Sequence, residues 1–327
     1  MQLKGQKVLV TGAGGFIGSH LAERLVEEGA HVRALVRYNA LGTWGWLDHS
    51  PHKRAMEVVS GDITDRESIR AAMANTDVVF HLAALIAIPY SYQAPNSYVR
   101  TNIEGTLNLL LAARECNARR VIHTSTSEVY GSARAVPIAE SHPLQGQSPY
   151  SASKIGADKM AEALYLSYEV PVVTVRPFNT FGPRQSSRAV IPAIITQVLS
   201  GEIVQLGSLT PTRDLNYVSN TVDGFLAAAQ CDAAVGQTVN LGSGREISIG
   251  DLAMLICRLA GREPRIVCDP QRIRPPRSEV DRLLADNSLA RRLFGWEPKI
   301  SLEVGLERSI DWLRANIEKY RPCTYAL

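Results

Sequence analysis

Tyr150 and Lys154 stand four residues apart, downstream of the run Ser125-Thr126-Ser127-Glu128-Val129-Tyr130-Gly131. On a helix this spacing sets the ammonium one turn beyond the phenol, where a cation lowers the phenol's pKa. A phenol so poised can take a proton from a sugar hydroxyl while a nicotinamide takes the hydride. Glu128 adds a carboxylate that simple alcohol oxidation leaves without work. The set predicts oxidation of a nucleotide-linked sugar followed by a second chemical step.

A second motif supplies the redox partner. Thr11-Gly12-Ala13-Gly14-Gly15-Phe16-Ile17-Gly18 follows an apolar run, Lys7 to Val10, and opens an amphipathic stretch from Phe16 to Glu28. Gly12 suits a tight turn, Gly15 a close approach to a pyrophosphate, and Gly18 close packing of helix on sheet. A helix N-terminus following such a loop favours phosphate charge. Phe16 and Ile17 are its first residues, so their backbone is included in the cofactor site. The second strand ends at Val36-Arg37-Tyr38. No carboxylate stands there for a pair of ribose hydroxyls. Arg37 suits a 2′-phosphate instead, which favours NADP over NAD. Asp62 and Ile63 fall where an adenine would be contacted. Leu82-Ala83-Ala84, after the fourth strand, is small enough to run beside the cofactor.

The elements that must position these groups alternate. After the glycine turn come the strand His31 to Val36, the run Glu57-Val-Val-Ser, helical spacing from Arg66 to Ala74, and the strand Asp77 to His81. A helix through Asn102 to Glu115, the strand Arg120 to Thr124, the Tyr150 helix to about Tyr168 and the strand Val172 to Arg176 continue the pattern. Strand–helix alternation with a glycine turn at the first crossover predicts an α/β, Rossmann-like, doubly wound parallel sheet. The strict alternation ends near residue 178. A cofactor domain over 1–178 and a smaller C-terminal α/β substrate-binding domain over 179–327 are therefore expected, with segments around 214–241 returning to the first.

Bulk composition narrows the function classes. The 327 residues are 45% hydrophobic and 20% charged, with a formal net charge of +3. That charge is too small, and the arginines too dispersed, for a nucleic-acid-binding surface. The five cysteines form no Cys-x-x-Cys pair and read as reduced thiols, and the seven histidines show no metal spacing. No apolar stretch is long enough to span a membrane, and the opening residues carry no signal-peptide core. The expectations are a cytoplasmic protein, no metal, no membrane partner and no nucleic acid.

At this point the chain resembles, over nearly its whole length, the extended short-chain dehydrogenase/reductase superfamily of nucleotide-sugar enzymes. The likeness rests on the Thr11–Gly18 loop, His81-Leu-Ala-Ala84, Asn102-x-x-Gly105-Thr106, Tyr150-x-x-x-Lys154 and Arg176-Pro-Phe-Asn179. Gly182-Pro-Arg184, Arg213-Asp214 and Asn240-Leu-Gly242 continue it. Within the superfamily, Ser125 to Gly131 is similar to the sugar 4,6-dehydratases of the Thr-Ser-Glu kind. The stretches Arg37 to Leu47 and Leu206 to Leu215 are similar to dehydratases acting on UDP-N-acetylglucosamine.

The resemblance implies the chemistry in detail. Tyr150, supported by Lys154, takes the proton of the sugar 4-hydroxyl as hydride passes from carbon 4 to the cofactor. Glu128 then removes the carbon-5 hydrogen, water leaves from carbon 6, and hydride returns there to give a 4-keto-6-deoxy sugar. Thr126 holds the 4-hydroxyl, and Asn102 supports Lys154 through water. Ser127 replaces an aspartic acid that protonates the departing hydroxyl in the best-known dehydratases, so that role passes to Glu128, a water or Ser127 itself. Asn179, Arg188, Arg213 and Arg274 are the candidates to grip the diphosphate and sugar, since guanidinium forks match phosphate oxygens. Arg184 is a further candidate; Arg213 and Arg274 are the stronger pair, whereas Arg184, Arg188 and Arg277 suit either that role or the surface. A homodimer binding a nucleotide sugar is expected. UDP-glucuronate decarboxylases carry a similar Thr-Ser-Glu, and a nucleotide-sugar 4-epimerase needs only Tyr150. A cofactor-sensing protein on this fold would leave the Tyr150–Lys154 pair idle.

Overall fold

The computed structural model describes residues 1–273 and 275–320. Seven parallel strands form the main sheet: β1 (Lys7–Thr11), β2 (His31–Val36), β3 (Met56–Ser60), β4 (Val78–His81), β5 (Arg120–Thr124), β6 (Val172–Pro177) and β10 (Thr238–Leu241). Their order is β3-β2-β1-β4-β5-β6-β10, so the winding reverses direction between β1 and β4. Ligands of open parallel sheets bind at the carboxyl ends of the strands at such a reversal.

Both faces of this sheet are covered, and β1 shows why its strands read as unbroken apolar runs. Successive side chains point to opposite faces. Val8 and Val10 enter one core cluster with Leu21 and Leu25 of helix α1 (Phe16–Glu27) and Phe225 of α8 (Val218–Gln230). Leu9 enters the other, with Ile69 of α2 (Arg66–Met73), Leu109 of α5 (Gly105–Glu115) and Leu164 of α6 (Pro149–Tyr168). Between β4 and α5 lie two short helices, α3 (Ile88–Gln93) and α4 (Pro95–Tyr98), and a π-helical turn over Val99–Glu104. A turn of this kind often marks a functional site. Asn102 occupies it.

Strands β7 (Asn179–Phe181), β9 (Thr212–Tyr217) and β11 (Glu246–Ser248) make a separate three-stranded sheet in the order β11-β9-β7. Strands β8 (Ile203–Leu206) and β12 (Arg265–Cys268) pair in parallel. Helices α7 (Val190–Ser200), α9 (Ile249–Ala260), α10 (Ser288–Phe294) and α11 (Leu302–Ala315) complete this part. Thr238–Leu241 thus lies along the edge of the large sheet, whereas Thr212–Tyr217 belongs to the small one. Among the described residues no helix is long and apolar enough to cross a membrane.

Candidate active site

The glycine loop closes β1 onto the exit of β4. The Thr11 hydroxyl accepts hydrogen bonds from the Leu82 and Ala83 N–H groups, each at 3.1 Å, and pairs with His81 Nδ1 at 2.9 Å. Gly12 has φ +68°, and a Cβ there would lie 2.9 Å from the Ala83 nitrogen. A Cβ at Gly18 would lie 2.2 Å from the Gly12 carbonyl oxygen, which is why helix and loop pack so closely. Gly15 is the N-cap of α1, no side chain caps that end, and its first turn holds no acidic residue. The first-turn donors, with Phe16 and Ile17 leading, are therefore left for a ligand. This bare cradle fits the pyrophosphate of a dinucleotide.

At the adenosine end, Arg37 follows β2 and Asp62 follows β3. Arg37 Nε stands 3.6 Å from Asp62 Oδ2, with the guanidinium side chain 80% exposed. Burial raises the Asp62 carboxyl, but bonds from Thr64 and the Arg37 charge outweigh it and hold the group below its usual range. Ile63 is buried, and a Cβ at Gly105 would strike its side chain at 2.7 Å. Ala84 follows Leu82 and Ala83 out of β4, partly buried.

The groups expected to react come from the turn after β5 and from α6. Ser148 caps α6: its hydroxyl accepts the Ser151 N–H while Ser151 Oγ accepts the Ser148 N–H, and Pro149 fits the first turn. This fixes where Tyr150 leaves the helix. Tyr150 is 7% exposed and packs edge-on against Tyr98 from the end of α4, ring centroids 6.3 Å apart. Thr126, Ser127 and Glu128 form the turn after β5, where the Thr126 hydroxyl caps by accepting the Glu128 N–H at 3.3 Å. Burial raises the Tyr150 phenol first of all, Thr126 opposes that shift, and the Glu128 carboxylate is close enough to add to it. Ser127 and Glu128 are both buried.

Lys154 differs from the expectation. It is buried, and its Nζ donates to the Thr124 carbonyl at 2.6 Å. Burial brings its pKa down to about 8, with Asp158 working in the opposite direction. Burial likewise drives the Tyr150 phenol above its ordinary value, and Thr126 is the neighbour that opposes this. The two residues lie one turn apart on α6, and burial sets the direction of both shifts. Asn102 departs too. Its Nδ2 donates to the Leu85 carbonyl and to Ser153 Oγ, and its Oδ1 accepts the Leu85 N–H, each at 2.9 Å. It therefore braces the chain after β4 against α6.

Of the substrate candidates, Asn179 opens β7 and its Oδ1 is buried without a hydrogen-bond partner among the described residues. Arg188 is exposed and near enough to Tyr98 to act on its phenol. Arg213 is buried on β9, donating to the Thr212 carbonyl and to Glu279 at 3.1 Å. Arg184 is held instead by Glu23 of α1 through bonds of 3.0 and 3.1 Å. Arg277 is exposed, and Arg274 lies outside the described residues. The four described cysteines are free thiols.

Sequence reasoning passed over Tyr98, His123 and Asp158, all buried at the site. Asp158 lies one helical turn beyond Lys154, a spacing that signals it. Tyr98 comes from a distant segment and carries no such signal.

A family model described as GDP-mannose 4,6 dehydratase matches residues 9–309. The chain belongs to that family. A UDP-glucose 4-epimerase of Mycolicibacterium smegmatis is 33% identical over 315 residues, covering 94% of this chain and 98% of that protein. A dTDP-glucose 4,6-dehydratase of an Actinoplanes species is 32% identical over 318 residues, covering 95% and 98%. The crystal structure of a dTDP-glucose 4,6-dehydratase from Streptomyces venezuelae, solved with NAD bound, superposes with a TM-score of 0.88. It is 29% identical and covers 97% of this chain and 100% of that one. This protein is thus an enzyme of the nucleotide-sugar dehydratase and epimerase family, in which NAD(P) use is typical.

Proposed function

We propose that the chain is a nucleotide-sugar 4,6-dehydratase that converts an NDP-hexose, with UDP-N-acetylglucosamine the favoured substrate, to its 4-keto-6-deoxy product. Residues 1–178 hold NADP or NAD, with Arg37 favouring NADP, and residues 179–327 hold the nucleotide sugar. The nicotinamide, when bound, accepts one hydride and returns it. The chain's own residues handle protons and position. Tyr150 takes the proton of the 4-hydroxyl and Thr126, which acts on the same phenol, holds that hydroxyl. Lys154 places a positive charge in the buried site beside them. The ketone at carbon 4 acidifies carbon 5, and Glu128 removes its proton. Glu128, Ser127 or water protonates the departing 6-hydroxyl, and a proton is given back to carbon 5 as the hydride returns to carbon 6, so atoms balance with water as the only loss. Asn179, Arg188, Arg213 and Arg274 hold the diphosphate and sugar.

One observation carries this reading: Glu128 is 8% exposed and acts electrostatically on Tyr150. A buried carboxylate beside the phenol would hinder an enzyme that needed only phenol ionisation. It is useful when a second proton must be taken from the adjoining carbon. The test is incubation with a panel of nucleotide sugars, read by product mass. Loss of one water supports a dehydratase. Loss of carbon dioxide replaces it with a decarboxylase, and a product of unchanged mass with an epimerase.

A further inference from the structure

Behind Lys154 lies a buried polar cluster that the reaction as written leaves without a task. Asp158, one turn further along α6, is 5% exposed. Its Oδ2 accepts from Ser125 Oγ at 2.8 Å and from Arg176 Nη2 at 3.0 Å. Its Oδ1 is 3.0 Å from His123 Nε2. Arg176, on β6, also donates to the Tyr130 hydroxyl at 3.0 Å, which donates in turn to Asn240 Oδ1 at 2.7 Å. Every member of the cluster is buried.

We propose that Asp158 is a positioning residue, the buried counter-charge that keeps the Lys154 ammonium protonated and aligned. The inference rests on the reading of Tyr150 and Lys154 as the proton-transfer pair. The groups whose charges act on or are acted on by Lys154 are Asp158 on its own helix, His123 on β5 and His81 on β4, while Tyr150 stands one turn before it on α6 and Arg176 on β6 is bonded to Asp158. Burial drives both histidines down, with Asp158 opposing the shift at His123. Arg176 is a permanent cation. Removing the Asp158 carboxylate would leave Lys154 and Arg176 as two buried cations, and the one that can lose its proton is Lys154. Ser125 links the geometry, because its hydroxyl holds Asp158 and its neighbour Thr124 supplies the carbonyl that receives Lys154 Nζ. Burial takes Lys154 down to about 8 even with Asp158 opposing it.

The sign of the effect follows. Lys154 must be charged to work, so wild-type activity falls as pH rises through about 8. Without the carboxylate the ammonium is less favoured, and the alkaline limb moves to lower pH.

The experiment is the pH profile of kcat for the wild type, D158N and D158E, on whichever nucleotide sugar the wild type turns over. The expected result is an alkaline limb lowered by about one to three pH units in D158N and restored in D158E. D158A supplies a second variant. A cavity of about 330 Å³ lined by Asp158, Arg176, Thr174, Glu140 and Tyr165 gives a small anion access, so sodium formate should return the limb of D158A towards that of the wild type. D158N and D158A profiles that keep the wild-type limb, with only lowered amplitude or Tm, would overturn the proposal by making Asp158 purely structural. This outcome is distinct from failure of the dehydratase reading, which shows in product mass and not in pH dependence.

Discussion

Glu128 and Arg37 carry the choices that single residues decide. Glu128 sits in the same short turn as Thr126, against the phenol of Tyr150. E128Q keeps the shape and some hydrogen bonding but cannot take a proton. Elimination should slow by about 10²–10⁴. The 4-ketone of the intact hexose should accumulate, trapped by borodeuteride as label at carbon 4. An unchanged rate would leave Glu128 outside the chemistry. Arg37 is the other test. Its guanidinium reaches towards Asp62 yet is largely open to solvent. R37D should weaken NADP relative to NAD by about 1–3 kcal/mol, measured by titration calorimetry. A wild type that already prefers NAD would contradict that reading. Both residues are singled out by sequence, because their types stand at motif positions. The direction of the Tyr150 shift was not. Helical spacing sets how near a cation lies, whereas burial, which dominates here, depends on Tyr98 and the rest of the packing.

Elements act by fixing where these side chains emerge. The reciprocal Ser148–Ser151 cap determines the first turn of α6 and so the direction of Tyr150. S148A should cost about 1 kcal/mol of stability, seen as a lowered Tm, together with a fall in kcat greater than any change in cofactor affinity. A variant with a normal Tm would show that Pro149 and packing hold that turn without the cap. The strands and main helices of the large sheet were readable because apolar runs alternate with amphipathic stretches over residues 7–176. The π-helical turn at Asn102 was not. Its extra residue leaves no mark on apolar periodicity, and its stabilising bonds go to Leu85 and Ser153, remote in sequence.

On the scale of the molecule, the site depends on a small sheet being held against a large one. Asp214 on β9 does much of this. Its buried carboxylate accepts from the Ser243 N–H and hydroxyl, both at 2.6 Å, from the Gly244 N–H at 3.0 Å and from the Ala285 N–H at 3.1 Å. Those donors come from the loop after β10 and from the segment before α10, so one residue ties both sheets to the C-terminal part. D214N would set an amide N–H against these donors and should lower stability by about 3 kcal/mol, measured by denaturant unfolding. A loss within a few tenths would mean the loops are held elsewhere. Sequence placed Arg213-Asp214 in a family motif but could not show that it works at a junction, since all four donors lie well along the chain. Wild-type enzyme, its cofactor and UDP-N-acetylglucosamine are incubated in heavy water, and the product is examined by mass spectrometry and NMR. The account predicts a 4-keto-6-deoxy sugar that has lost one water and carries solvent deuterium at carbon 5. A product of unchanged composition, or one with no deuterium at that carbon, would contradict it.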